Sequence, residues 1–291
     1  MDASLFLQFL ANGLSVGLGY GLAAVGLALV FGILEQVNFA HGEIYMVGAF
    51  TLWFLGQSMG MPYWLGYPVM VAAMAAFGLL LAEVVFLPTL NRPFETVILA
   101  TLAVSIILQN LVRLVFGATP LHIDSPLDGT TLELGGVLFF GQRIFVAVVA
   151  VVALAGLVAF LRRTETGRAM RAMAQNKDAC LMVGIDIRRV TRITAAAGAA
   201  LCALASGAMA PMFDLYPNMG TDVVFKSFAV VIIGGMGNIS GAMLAGLLLG
   251  VAESFASGML GATYRDGVGF ALMIIMLLLR PQGIFGKSVR V

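Results

Sequence analysis

RRTETGRAMRAMAQNKDACLMVGIDIRRVTR, residues 162–192, gathers eight of the chain's sixteen Lys and Arg residues into one short segment. Apolar runs flank it on both sides, at 144–161 and 193–212. Each approaches the roughly 20 residues that a helix needs to cross a bilayer core. Positive charge beside membrane helix ends marks the cytoplasmic side. The segment is therefore an inside loop, and it orients everything around it.

Composition agrees with a membrane location. Of 291 residues, 60% are hydrophobic and only 11% charged, with a mean hydropathy of +1.01. A soluble domain would need far more polar surface, because charged residues are rarely buried. Further apolar runs lie at 5–34, 44–55, 64–87, 97–116, 223–233, 242–256 and 267–279. The expected fold is a single all-α polytopic membrane domain over residues 1–291. It has about eight transmembrane helices plus broken or re-entrant half-helices, a pseudo-repeat and cytoplasmic helices in the basic loop. A net charge of +1 points to no nucleic acid and no acidic substrate. Cys180 and Cys202 are too few for a disulfide framework and read as small buried hydrophobes. A cleaved signal peptide is not expected, since no Lys or Arg precedes the first apolar run.

Residues 118–142 form the one sizeable polar loop without a basic cluster, carrying Asp124, Asp128 and Glu133. Its prolines and glycines suggest a turn-rich or hairpin element, outside the membrane. Arg92 falls inside by alternation, as does the tail after Arg280. Arg113, Arg143, Lys226 and Arg265 sit near expected outer ends and fit the charge rule less well. An inside loop and an inside tail require an even number of crossings between them. The interruption GGMGNISG, residues 234–241, supplies the missing one by splitting 223–256 into two short helices, either tight spans or a re-entrant hairpin. A similar break at LVFGILEQVNFAHGEIYMVGAF places Glu35, Gln36, Asn38, His41 and Glu43 between apolar arms. Irregular backbone at membrane depth survives only inside protein or along a wet cavity. Breaks in both halves suggest the internal repeat of transporters.

Read at roughly 100° per residue, 166–177 sets Arg168, Arg171 and Gln175 on one face and Ala169, Met170, Met173 and Ala174 on the other. Asn176 can cap a second helix with Asp178 in its first turn, and Gly184 can end it. Two uses fit such a loop. It could rest as a basic interfacial helix on anionic lipid, or act as a rigid knob for a groove on a soluble partner. On the second reading its Ala, Met, Cys and Leu side chains face that partner.

The pattern ETGRAMRAMAQNKDACLMVGI resembles the coupling loop of ABC importer permeases of the branched-chain amino acid, urea and ribose type. There T-G-R-A-x-R-A precedes N-x-E-A-A-x-x-x-G-I; here Asp178 replaces the Glu and Cys180 the second Ala. GLALVFGILEQVNFAHGEIYMVGAF, AVVIIGGMGNISGAMLAGLLLG and LLLRPQGIFG resemble further signatures of the branched-chain amino acid permeases. The resemblance implies ATPase coupling through Gly167, Arg168, Met170, Arg171, Met173, Asn176, Asp178, Ala179 and Gly184. It also implies a bacterial inner-membrane importer with a paralogous permease subunit, two cytoplasmic ATPase subunits and a periplasmic binding protein that delivers leucine, isoleucine or valine. The chain itself would bind no cofactor, the partner ATPases using the ATP and Mg. In keeping with this, the chain has no G-x-x-x-x-G-K-[ST]; GIFGKS fails because Pro281 holds the first glycine position.

Asn38, His41 and Glu43 are candidates for the substrate pathway, because ionisable groups inside a span are costly unless solvated or paired. A structural network of His41 with Glu43 or Glu35 is the other reading; a metal site would need more ligands. Gly234, Gly235, Gly237, Asn238 and Ser240 could offer backbone amides to a substrate carboxylate, or serve close helix packing. Glu83 pairs with a neighbour or reaches the interface, and Arg113 snorkels or pairs. The external loop, with Asp214 and Asp222, is either a landing surface for a binding protein or simply solvated. Urea or another small solute is the rival substrate. An ion-coupled transporter would leave the docking loop unexplained, and an enzyme lacks H-E-x-x-H, G-x-S-G and histidines beyond two.

Overall fold

Residues 3–34 contain neither a charge nor a proline, so nothing interrupts the first helix, α1 (Ala3–Leu34). A computed structural model describes residues 3–286; Lys287 and Ser288 of the GIFGKS motif lie outside that range. Helix α1 stops where Glu35 takes a positive φ of 55°, a conformation that few residues other than glycine adopt. Six residues later α2 (His41–Gln57) begins. Next comes α3 (Tyr63–Thr89), which loosens into a π turn at Ala82–Phe86. Pro88, just beyond, has no N–H to continue the ladder. Pro93 leads into α4 (Phe94–Phe116).

Outside the helices the described residues form one hairpin, β1 (Thr131–Leu134) with β2 (Val137–Phe140). Gly135 and Gly136 turn it, both at positive φ, as a two-residue primed turn requires. The remaining elements are α5 (Gly141–Arg163), α6 (Glu165–Met173), α7 (Lys177–Met182), α8 (Ile187–Met209), α9 (Met219–Gly234), α10 (Ile239–Met259) and α11 (Arg265–Leu279).

Seven helical stretches are long and apolar enough to cross a membrane: α1, α3, α4, α5, α8, α10, and α11 taken together with the 3-10 turn before it, Ala262–Leu279. Helices α2 and α9, of 17 and 16 residues, are shorter. The chain is an all-α polytopic membrane protein, and both anticipated breaks are present. The one at 235–238 separates a short helix, α9, from a full-length one, α10, rather than two short ones.

Helices α1 and α8 form the buried centre, while α4, α5 and α11 turn apolar side chains such as Leu99, Leu114, Val152 and Leu278 outward. Small residues let α1 and α10 touch backbone to backbone. A Cβ added at Gly17 would lie 2.7 Å from the Gly246 carbonyl oxygen, and one at Gly246 would fall on Gly21.

Two ends can be told apart. At one, Gln8 of α1 donates to the Leu138 carbonyl (2.9 Å) of the hairpin, and Leu121 bridges to Leu215. At the other, Lys177 Nζ donates to Leu90 O and Asn91 Oδ1 (3.0 Å each), while Ile284 N donates to Ile233 O (2.8 Å). All segments expected inside, 89–93, 162–192 and 281–286, thus gather at one end. Helices α8 to α11 make the even count between them.

Candidate functional site

At the basic-loop end, three side chains cap three helix starts. Thr164 Oγ1 accepts from Gly167 N (2.9 Å), Asn176 Oδ1 from Ala179 N (2.9 Å) and Asp186 Oδ1 from Arg189 N (3.1 Å). Asp178 sits in the first turn of α7, and Gly184 closes that helix at φ 78° while Ile185 N reaches back to Cys180 O (3.0 Å). Gly167 is needed for contact: an added Cβ would meet the backbone of Phe160 and Leu161 in α5.

The apolar face of α6 is used differently from expectation. Met170 is fully buried, and Met173 and Cys180 nearly so. They pack on the chain's own helices, so they hold the knob in place and do not present it. Arg168, Arg171 and Ala179 are exposed. The exposed apolar tip is Leu181, Met182 and Val183, with Met182 91% accessible. Glu83 pairs with Arg192, tying α3 to α8 beside this loop.

The break between α1 and α2 runs back into the protein. Gln36 Nε2 reaches Thr89 Oγ1 (3.2 Å) at the loop end, whereas His41 Nε2 donates to the carbonyl of Ala23 (2.9 Å), well inside α1 and about three turns from its end. Asn38 Oδ1 accepts from Ala40 N (3.0 Å), turning the chain into α2. Helix α2 therefore starts in the middle of the bundle. His41 does not pair with Glu43 or Glu35. Glu43, fully buried, accepts from Ser105 Oγ (3.0 Å) and Gln109 Nε2 (2.7 Å). Its second oxygen has no hydrogen-bond partner among the described residues and lies against Gly220 in the first turn of α9, where the positive helix end favours negative charge.

The break between α9 and α10 lies at the loop end, not at membrane depth. Gly235 N donates to Val231 O (2.9 Å), and Asn238 caps α10 by accepting from Gly241 N (2.8 Å). Gly234 abuts Gly241, Gly237 abuts Gly32, and Gly235 meets the tail at Gly283 and Gly286. Close packing accounts for these glycines, and Ser240 is exposed. None of the five lines the main polar cavity.

That cavity, of about 450 Å³, opens at the hairpin end between α1, α9, α10 and α11. Ala23, Tyr45 and Met219 lie at its depth, beside the α1–α2 break. Asp214, Asp222, Lys226, Arg265 and Asp266 supply its charge. Behind them Glu253, only 1% exposed, accepts from Lys226 Nζ (3.0 Å), Arg265 Nε (2.8 Å) and Tyr20 OH (3.0 Å). Lys226 also bridges to Asp266 (2.8 Å). Among the described residues, no group of three His, Cys, Asp or Glu side chains could hold a metal ion.

Residues 9–277 match the family described as branched-chain amino acid transport system, permease component. The chain belongs to this permease family. It is 35% identical to the high-affinity branched-chain amino acid transport system permease protein BraD of Pseudomonas aeruginosa, over 97% of this chain and 96% of that protein. It is 33% identical, with the same coverage, to the permease protein LivH of Escherichia coli K12. A second Escherichia coli permease protein, LivM, matches at 27% over 91% of this chain and 67% of its own length. No solved structure matches.

The charged cluster of this permease was half visible in sequence. Lys226 and Arg265 stood out only as basic residues at the wrong end for the charge rule. Glu253 passed unremarked in an apolar helix, although an ionisable residue in a span is itself the signal. Asp214 and Asp222, read as neighbours of an external landing surface, line the cavity.

Proposed function

We propose that this permease is the membrane-spanning subunit of an ABC importer that carries leucine, isoleucine or valine across the bacterial inner membrane. The hairpin end, with residues 118–142, would face the periplasm and receive a binding protein. The 162–192 loop and the C-terminus would face the cytosol. A paralogous permease subunit would complete the pathway, and two ATPase subunits would use ATP and Mg; this chain would bind neither. The relatives' names support the substrate class, and the similarity to LivM supports the paralogous partner.

One observation carries the coupling role: a short, firmly capped helix pair with an apolar tip stands at the end opposite the cavity. Rigid caps let a push at Met182 reach α5 and α8 without being absorbed in a loose linker. The test is ATP-driven leucine uptake by proteoliposomes carrying the complete complex. Met182→Glu and Val183→Glu are expected to stop uptake while the chain still inserts. Unimpaired uptake in both variants removes the coupling role.

A further inference from the structure

The cavity at the hairpin end has two chemically different regions. Around Ala23, Tyr45, Met209, Met219 and Val223 it is apolar; around Lys226, Arg265 and Asp266 it is charged. Its size suits a small ligand, since pockets of roughly 300–1,000 Å³ hold such molecules. Gly19 on the wall lets the Met209 side chain pack directly on α1, where an added Cβ would run into it.

The charges add up in a specific way. Glu253 holds Lys226 and Arg265 together, so the buried trio carries a net charge of +1. Asp266 balances it through Lys226, but the Asp266 side chain is 65% exposed, against 16% for Lys226 and 2% for Glu253. The acid that neutralises the trio is thus the one that water, or a ligand, can reach. Asp222, hydrogen-bonded by Tyr216 OH (2.5 Å), and Asp214 add two further acids to the cavity lining.

We infer that this cavity is a receptor for a free α-amino acid with an apolar side chain. The ligand's carboxylate takes the place of Asp266 on Lys226, with Arg265 beside it in the lining. The released Asp266 takes the ligand's ammonium, and the apolar side chain lies toward Ala23, Met209 and Val223. A zwitterion leaves the total charge unchanged, whereas a lone amine or a lone carboxylic acid leaves one partner uncompensated, which is costly away from bulk water. The inference rests on the amino acid import reading and assigns its substrate a site inside the membrane subunit.

The test uses the assembled complex in nanodiscs without the binding protein, with L-leucine as probe followed by saturation-transfer NMR. Leucine signals are expected from the unaltered complex, with 3-methylbutylamine and 4-methylpentanoate giving none. Asp266→Asn and Lys226→Met should each weaken leucine binding by roughly tenfold or more, the scale of one lost charge-assisted pair, while Lys226→Arg retains most of it. Ala23→Leu should shrink the apolar region and weaken leucine before alanine. Leucine binding that survives both Asp266→Asn and Lys226→Met, or an unaltered complex that gives no signal yet still imports leucine with its binding protein, overturns the site. Absence of leucine import by the complete unaltered system overturns the transport reading instead.

Discussion

Replacing Glu253 by Gln would leave Lys226 and Arg265 facing each other across a neutral amide, in a place only partly open to water. Removing one partner of a buried ion pair costs about 3–5 kcal/mol, and the partial exposure of both cations puts this case at about 3 kcal/mol. Thermal unfolding of the detergent-solubilised complex should show Glu253→Gln melting earlier, with Glu253→Asp intermediate. Gly167→Val, by contrast, must push α6 off α5, because the added carbons fall on backbone rather than on a yielding side chain. Faster proteolysis confined to the 162–192 loop would report that displacement. Residues such as Asn176 and Gly184 were legible because capping is a local rule: a side-chain oxygen three residues before an amide, or a glycine where φ turns positive. Met170 was not, because its partner is decided by how α6 folds back on the bundle, which no spacing along α6 encodes.

At the level of whole elements, the apolar runs anticipated the membrane helices well, and the glycine-rich break divided α9 from α10 where parity required it. The depth of each break was beyond reach. Both are glycine-rich or polar interruptions in sequence, yet one folds into the middle of the bundle at His41 while the other stays at the loop end with the tail against it. The difference lies in helix length and register: α1, of 32 residues, runs past the start of α2, so the chain must double back to reach it. The same limit hid the charged cluster, whose members sit on α1, α9, α10 and α11. The loop's capping makes its own prediction. Asn176→Ala should cost about 1 kcal/mol of local stability, seen as faster hydrogen exchange across α7. Paired with Gly184→Val, which forces a β-branched residue to φ 78°, it should lower leucine uptake several-fold while leaving α8 exchange unchanged.

Across the whole molecule, the two ends should be distinguishable by chemistry. Cysteines placed at Glu133 in the hairpin and at Gln175 in the loop, both exposed positions, should react with an impermeant maleimide from opposite sides of the membrane. Native Cys180 and Cys202 are buried and should stay silent in the folded protein. Labelling of both introduced cysteines from one side would undo the orientation. The glycine seam between α1 and α10 bears on how such a molecule can move. Backbones in mutual contact along Gly17, Gly21, Gly246 and Gly250 cannot slide past each other without opening a void. The two helices therefore behave as a keel. Alternation between outward and inward access must come from tilting that keel as one piece, or from bending at the short helices α2 and α9 that begin beside it.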